Sequence, residues 1–195
     1  MTDENAQVVL ARRDRTAFAP LFDLYYPRIY RYLLHRTADA TRAADLTSET
    51  FLAALASLDR FDPDRGSLSA WLYGIATNEY RMASRSSFRK RKALRRLATF
   101  TPAEADEFAA IDARVASCTD FVEVQPLLTA LPQPQATAIT LRFLEDLPYA
   151  EVAAAMGVPE PTARSHVHRG LNALRRQLAP RLRAELELAL AQGVA

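Results

Sequence analysis

Apolar residues along this chain recur mostly at intervals of three and four, the spacing that puts side chains on one face of a helix. Phe18, Leu21, Phe22, Tyr25, Ile29, Tyr32 and Leu33 form the first such stripe, with Pro27 inside it as a predicted kink or break. Leu46, Phe51, Leu52, Leu55 and Leu58 predict a second helix. Trp71, Leu72, Ile75 and Ala76 predict a third, which starts after the breaker cluster Asp62-Pro63-Asp64-Arg65-Gly66-Ser67. The helical signal returns after Pro126 with Leu127, Leu128 and Leu131, is interrupted by Pro132-Gln133-Pro134, and resumes through Ile139, Leu141, Phe143 and Leu144. Tyr149 to Met156 follows, then a long helix from about Pro161 to Leu178. Leu182, Leu186 and Leu190 beyond Pro180 predict a short amphipathic helix as a tail. Strict apolar–polar alternation is scarce, so strands are not expected.

Between the two helical stretches the character changes. From Thr99 to Gln125, six acidic residues stand against Arg114 alone, and Pro102 and Pro126 bracket most of the segment. This reads as an acidic linker. The predicted fold class is all-α: two small helical domains, 1–97 and 124–195, joined by the linker over 98–123.

The second domain contains a helix-turn-helix pattern. Ala153 supplies a small residue where a second helix would cross the first, and Gly157, four residues on, is able to take the left-handed conformation that ends a helix. Val158 and Ala163 are apolar and would anchor the turn. Pro161 fits the first turn of the next helix, where its missing N–H has no intrahelical partner. That helix projects Thr162, Arg164, Ser165, His166, His168 and Arg169, side chains suited to base edges or phosphates in a major groove. From Glu160 to Arg183 six arginines face a single acid, which is the electrostatic footprint of a polyanion binder.

A second basic run spans Arg81 to Arg96, with eight cations and no acid, and includes Arg85 and Arg89. It follows a helix bearing Trp71, Tyr73, Asn78 and Tyr80. Cations beside aromatic and amide groups suit a nucleic-acid strand with unstacked bases.

Composition narrows the picture further. The chain of 195 residues is 49% hydrophobic and 25% charged, which is ordinary for a folded protein and argues against overall disorder. Its net charge of +2 identifies no partner; the clustering does. A single cysteine, Cys118, excludes an intrachain disulfide. No apolar run approaches the roughly 20 residues of a membrane helix, and Met1-Thr2-Asp3-Glu4 does not begin an export signal. A cytoplasmic protein with no membrane insertion is expected. Catalytic readings lack support: there is no metal-binding H-E-x-x-H, glycine-rich phosphate loop or nucleophile elbow. His166 and His168 diverge by about 200° on a helix, too far to share one metal. Neither a catalytic activity, a cofactor nor a metal is expected.

These motifs, in this order, resemble the bacterial RNA polymerase sigma factors of the extracytoplasmic-function type over roughly residues 15–97 and 124–178. Asp45-Leu46-Thr47-Ser48-Glu49-Thr50-Phe51-Leu52 is similar to the family's polymerase-binding helix, and Trp71-Leu72-Tyr73-Gly74-Ile75-Ala76-Thr77-Asn78 to the helix that reads and melts the −10 promoter element. The helix-turn-helix corresponds to the −35 reader. The resemblance implies that Asp45, Leu46, Glu49 and Phe51 form or shape the contact with the clamp helices of the beta-prime subunit, with the beta subunit flap as a further polymerase contact. It implies that Phe61, Asp62, Ser67, Trp71, Ile75, Ala76 and Asn78 hold a flipped base of the −10 strand while Arg81, Arg85 and Arg89 hold its phosphates. Thr162, Arg164, Ser165, His166 and Arg169 would face the −35 duplex. The implied partners are core RNA polymerase, promoter DNA and an anti-sigma factor, a partner common in the family. The sequence departs from the family at Ser48, where Gln is common, at Met82, where Asp is frequent, at Pro161, where Gly is usual, and at His166, where a basic residue is frequent. The rival reading is a stand-alone helix-turn-helix transcriptional regulator acting as a dimer.

Overall fold

The computed structural model describes residues 3–94 and 125–191, with side chains described at 4–84 and 125–178. The acidic linker, and the side chains of Arg85 and Arg89, lie outside the described residues. Among the described residues every regular element is a helix. In chain order these are α1 (Asp3–Arg13), α2 (Ala19–Thr37), α3 (Ala40–Ser57), α4 (Leu68–Leu94), α5 (Gln133–Ile139), α6 (Tyr149–Met156) and α7 (Glu160–Ala191). A helical turn over 125–129 precedes α5.

The stripe predicted for α2 is its buried face: Leu21, Tyr25, Ile29, Tyr32 and Leu33 all point inward against α3 and α4. Pro27 neither ends nor splits the helix. The proline removes one backbone hydrogen bond, a loss of about 3 kcal/mol in an isolated helix. Burial of large side chains on both sides of it outweighs that loss. α3 begins at Asp39, whose carboxylate caps the Arg42 N–H at 3.1 Å. An aromatic cluster then locks α3 to α2: the Phe51 ring lies 4.7 Å from Phe22, 6.2 Å from Tyr26 and 6.3 Å from Phe18. The sequence pattern did not reveal α1, which is anchored by only two buried side chains, Val8 and Ala11. Arg12 at its end donates to the carbonyls of Leu58 and Phe61, tying α1 to the loop before α4.

The second half forms a compact unit. α5 runs into a π-helical turn over Thr140–Leu144, where the Glu145 N–H reaches back five residues to the Thr140 carbonyl at 3.0 Å. α7 crosses α5 at Gly170, where a Cβ would sit 2.5 Å from the end of the Ile139 side chain and 3.3 Å from the Gln135 Cβ, so any larger residue requires Ile139 to shift. α7 also continues unbroken through Pro180 to Ala191, so the long helix and the tail expected beyond Pro180 are one element. Arg, Leu, Ala and Glu around Pro180 are strong helix formers and favour continuation. The main apolar core is continuous across both halves, with Leu141, Val152, Ala155, Met156, Ala163 and Val167 in one cluster with the residues of α2, α3 and α4. Leu128, Leu131, Ala136 and Ile139 form a smaller cluster under α7.

Candidate nucleic-acid interface

The breaker cluster between α3 and α4 is an ordered loop whose turns are fixed by its own side chains. Asp62 accepts from the Asp64 N–H at 3.0 Å, and the Arg65 N–H returns to the Asp62 carbonyl at 3.1 Å. Gly66 has φ +154°, a conformation that side chains disfavour. Ser67 then caps α4 by accepting from the Ala70 N–H at 3.0 Å.

This loop forms one wall of a groove of about 840 Å³, and the first turns of α4 form its floor. Phe61, Asp62, Ser67, Trp71, Ile75 and Asn78 all line it, so the fold brings these six residues of the sequence assignment together. The Phe61 and Trp71 rings pack with centroids 5.3 Å apart. The Asn78 amide donates only to the Met82 sulfur at 3.6 Å, a weak acceptor, so its stronger hydrogen-bonding capacity is available to a ligand. Arg60, Arg65 and Glu79 also line the groove, although the motif reading did not single them out as site residues. The two arginines stand out only as charges inside a loop otherwise rich in turn formers. Glu79 is partly withdrawn from water and lies near Glu49, and both effects raise its carboxyl pKa. Ala76 is different: it is buried in the core, where it supports α4 and does not face the groove. Arg81 is half-buried, its guanidinium 3.5 Å from the Met156 carbonyl.

The expected docking helix divides into two faces. Asp45, Ser48, Glu49 and Leu52 point outward, and Leu52 is 68% exposed. Leu46 and Phe51 are in the core, so with the fold intact they shape the helix and do not touch a partner. Leu52 is an exposed apolar residue on that outward face that the motif reading did not assign. Its signal is the spacing of seven from Asp45 and three from Glu49, which puts all three on one face.

The helix-turn-helix is formed by α6 and α7. Gly157, at φ +66°, ends α6, with its own N–H bonded to the Ala154 carbonyl and that of Val158 to Ala153, both at 3.1 Å. Ala163 and Val167 are buried beneath α7 and set its rotation. Arg164, His168 and Arg169 are exposed, with Thr162, Ser165 and His166 half-buried beside them. Arg164 is held ready: it donates twice to Glu160, at 2.9 and 2.6 Å, and its guanidinium lies 4.2 Å above the Tyr149 ring.

An ordered aromatic groove and a cationic helix-turn-helix on an all-helical frame define a nucleic-acid-binding protein with two different readers. Comparison with known proteins identifies the family. The family model for Sigma-70 region 2 matches residues 21–92, and that for Sigma-70, region 4 matches residues 121–174. The chain is 30% identical over 175 residues to the ECF RNA polymerase sigma factor SigW of Bacillus subtilis, covering 85% of this chain and 90% of that protein. It is 30% identical over 193 residues to the RNA polymerase sigma-H factor of Pseudomonas aeruginosa, covering 93% of this chain and 97% of that protein. In fold it is similar to the sigma factor RpoE solved in complex with the anti-sigma factor NepR from Bartonella quintana, with a TM-score of 0.66 at 24% identity, covering 83% of this chain and 96% of that one.

The chain belongs to the ECF RNA polymerase sigma factors. It is a transcription initiation factor that directs RNA polymerase to promoters. The stand-alone regulator is not favoured, because it leaves the region-2 half without a role.

Proposed function

We propose that the outward face of α3, with Asp45, Glu49 and Leu52, docks on the clamp helices of the polymerase beta-prime subunit. The Phe61–Asn78 groove captures an unstacked base of the −10 strand, and Arg81, Arg85 and Arg89 take its phosphates. Thr162, Arg164, Ser165, His166 and Arg169 read the −35 duplex, with the beta flap supporting that half. The chain divides into a −10 domain at 1–97, a linker at 98–123 and a −35 domain at 124–195. It works by binding preference, without chemistry of its own: a groove that holds unstacked bases binds opened DNA more tightly than duplex, and the difference favours melting. The cytoplasm is its place of action, since core polymerase and promoter DNA are there. Among the described residues no helix is long and apolar enough to cross a membrane.

The observation that carries this reading is the groove itself, where two packed aromatics, an amide and two loop arginines converge. Run-off transcription with purified core polymerase on a genomic fragment library tests it. Discrete start sites preceded by a shared pair of elements are expected; no initiation at any fragment refutes it. An anti-sigma factor is a further proposed partner, supported by the complex in which the structural relative was solved.

A further inference from the structure

Arg164 lies near the start of α7, in the part of a recognition helix that meets base edges in a major groove. Its guanidinium is constrained on two sides. Nε and Nη2 both donate to Oε1 of Glu160, one turn earlier, at 2.9 and 2.6 Å. The central carbon of the group lies 4.2 Å above the Tyr149 ring. Tyr149 begins α6, and its ring is also 5.5 Å from the guanidinium of Arg142, which is itself paired with Asp146 at 3.1 Å. Both helices of the helix-turn-helix therefore hold the recognition arginine.

The way it is held decides what it is able to read. A guanidinium carries five N–H groups in a fixed plane. Glu160 takes one from Nε and one from Nη2. Among the described residues nothing accepts from Nη1, and the side chain is 58% exposed. The fork left for a ligand is made by Nη1 and the second hydrogen of Nη2. In a major groove guanine alone offers two adjacent acceptors, O6 and N7, to such a fork. Adenine sets an acceptor beside a donor, and thymine an acceptor beside a methyl group. A phosphate also accepts a fork. The ion pair disfavours a phosphate here, because Glu160 offsets the charge of Arg164 and repels an anion that approaches the pair. An exposed pair four residues apart adds little to stability, so its effect falls on orientation.

We propose that Glu160 and Tyr149 are positioning residues that fix Arg164 for a guanine in the −35 duplex and so set the base that this reader prefers. The inference rests on the proposed assignment of α7 to that duplex. Immobilising a long side chain on binding costs a factor of about 2–12 in affinity. In this chain the free protein has already immobilised the arginine. Without Glu160 and Tyr149 the cost would fall only on the correct base, since an arginine that finds no partner for its fork stays mobile. Holding the side chain in advance therefore raises discrimination between bases.

The test uses holoenzyme assembled from the full chain and core polymerase. A promoter mapped by run-off transcription has its −35 element permuted one base pair at a time, and competition binding at constant salt reads the preference at each position. Wild type is expected to favour G·C at one position by roughly 5- to 150-fold, and Arg164→Ala to abolish that preference. Glu160→Ala removes both hydrogen bonds and should reduce the preference about 2- to 12-fold. Tyr149→Leu should reduce it likewise, whereas Tyr149→Phe keeps the ring and should retain it. An unchanged preference in Glu160→Ala overturns the proposal. So does a sharper one, which would make Glu160 a competitor of the base. Uniform weakening across all sequences in Arg164→Ala would make the contact a phosphate and overturns it too. Glu160 is itself 39% exposed and alanine is a strong helix former, so this variant decides even where a tyrosine variant fails to fold. Should wild type initiate nowhere, the promoter reading falls. The same preferences are then read with the chain alone, by enrichment from a randomised duplex pool. There, the absence of an enriched guanine that depends on Arg164, or one undiminished in Glu160→Ala, overturns the inference.

Discussion

Replacing Phe51 with alanine and, separately, Leu52 with alanine distinguishes what holds α3 in place from what α3 offers to a partner. The Phe51 ring is 3% exposed and meets Phe18, Phe22 and Tyr26 with centroids 4.7 to 6.3 Å away. Truncation leaves a cavity that these rings fill only in part, and the expected loss of stability is about 3–5 kcal/mol. The adjacent Leu52 is 68% exposed, so its loss should change stability by no more than about 0.5 kcal/mol. Burying a leucine side chain fully is worth about 1.5–3 kcal/mol. The exposed two-thirds of Leu52 therefore contributes about 1–2 kcal/mol if polymerase covers it, or roughly a 5- to 30-fold change in Kd. Urea unfolding measures the first quantity, and titration of labelled core polymerase the second. Equal destabilisation by both variants would refute the two-faced assignment of α3. Unchanged polymerase affinity in Leu52→Ala would refute the docking face while leaving the packing argument intact.

Burial pulls the His35 pKa from 6.5 to about 4, with Arg31 lowering it further and Gln125 opposing. The folded state thus prefers a neutral ring. Its stability is complete above pH 6.5 and falls by on the order of 2–3 kcal/mol as pH drops toward 4, and His35→Gln should flatten that slope in urea unfolding at stepped pH. Gly66→Ala forces a side chain into φ +154° and should cost about 1–3 kcal/mol in thermal unfolding, with weaker single-strand binding as the groove wall shifts; a neutral effect on both would show that the loop relaxes freely. Arg164→Ala should reduce initiation from a promoter carrying a −35 element by roughly 5- to 150-fold, with little effect on a pre-melted template that lacks one, and equal loss on both templates would remove the −35 assignment.

Much of the frame was legible because its causes are local. Spacings of three and four placed the buried faces of α2 and α4, Gly157 fixed the turn of the helix-turn-helix, and the Asp62–Ser67 cluster marked the groove wall. What was not legible lay where local rules were overruled from a distance. Pro27 predicts a kink or a break, and the break does not occur because tyrosines packed on either side hold the helix together. Leu46 and Phe51 share a motif with Asp45 and Glu49, and the motif alone does not say which side chains turn inward. The Arg31–Glu145 pair, 114 residues apart, leaves no trace in any window of sequence, because both residues look like ordinary surface charges.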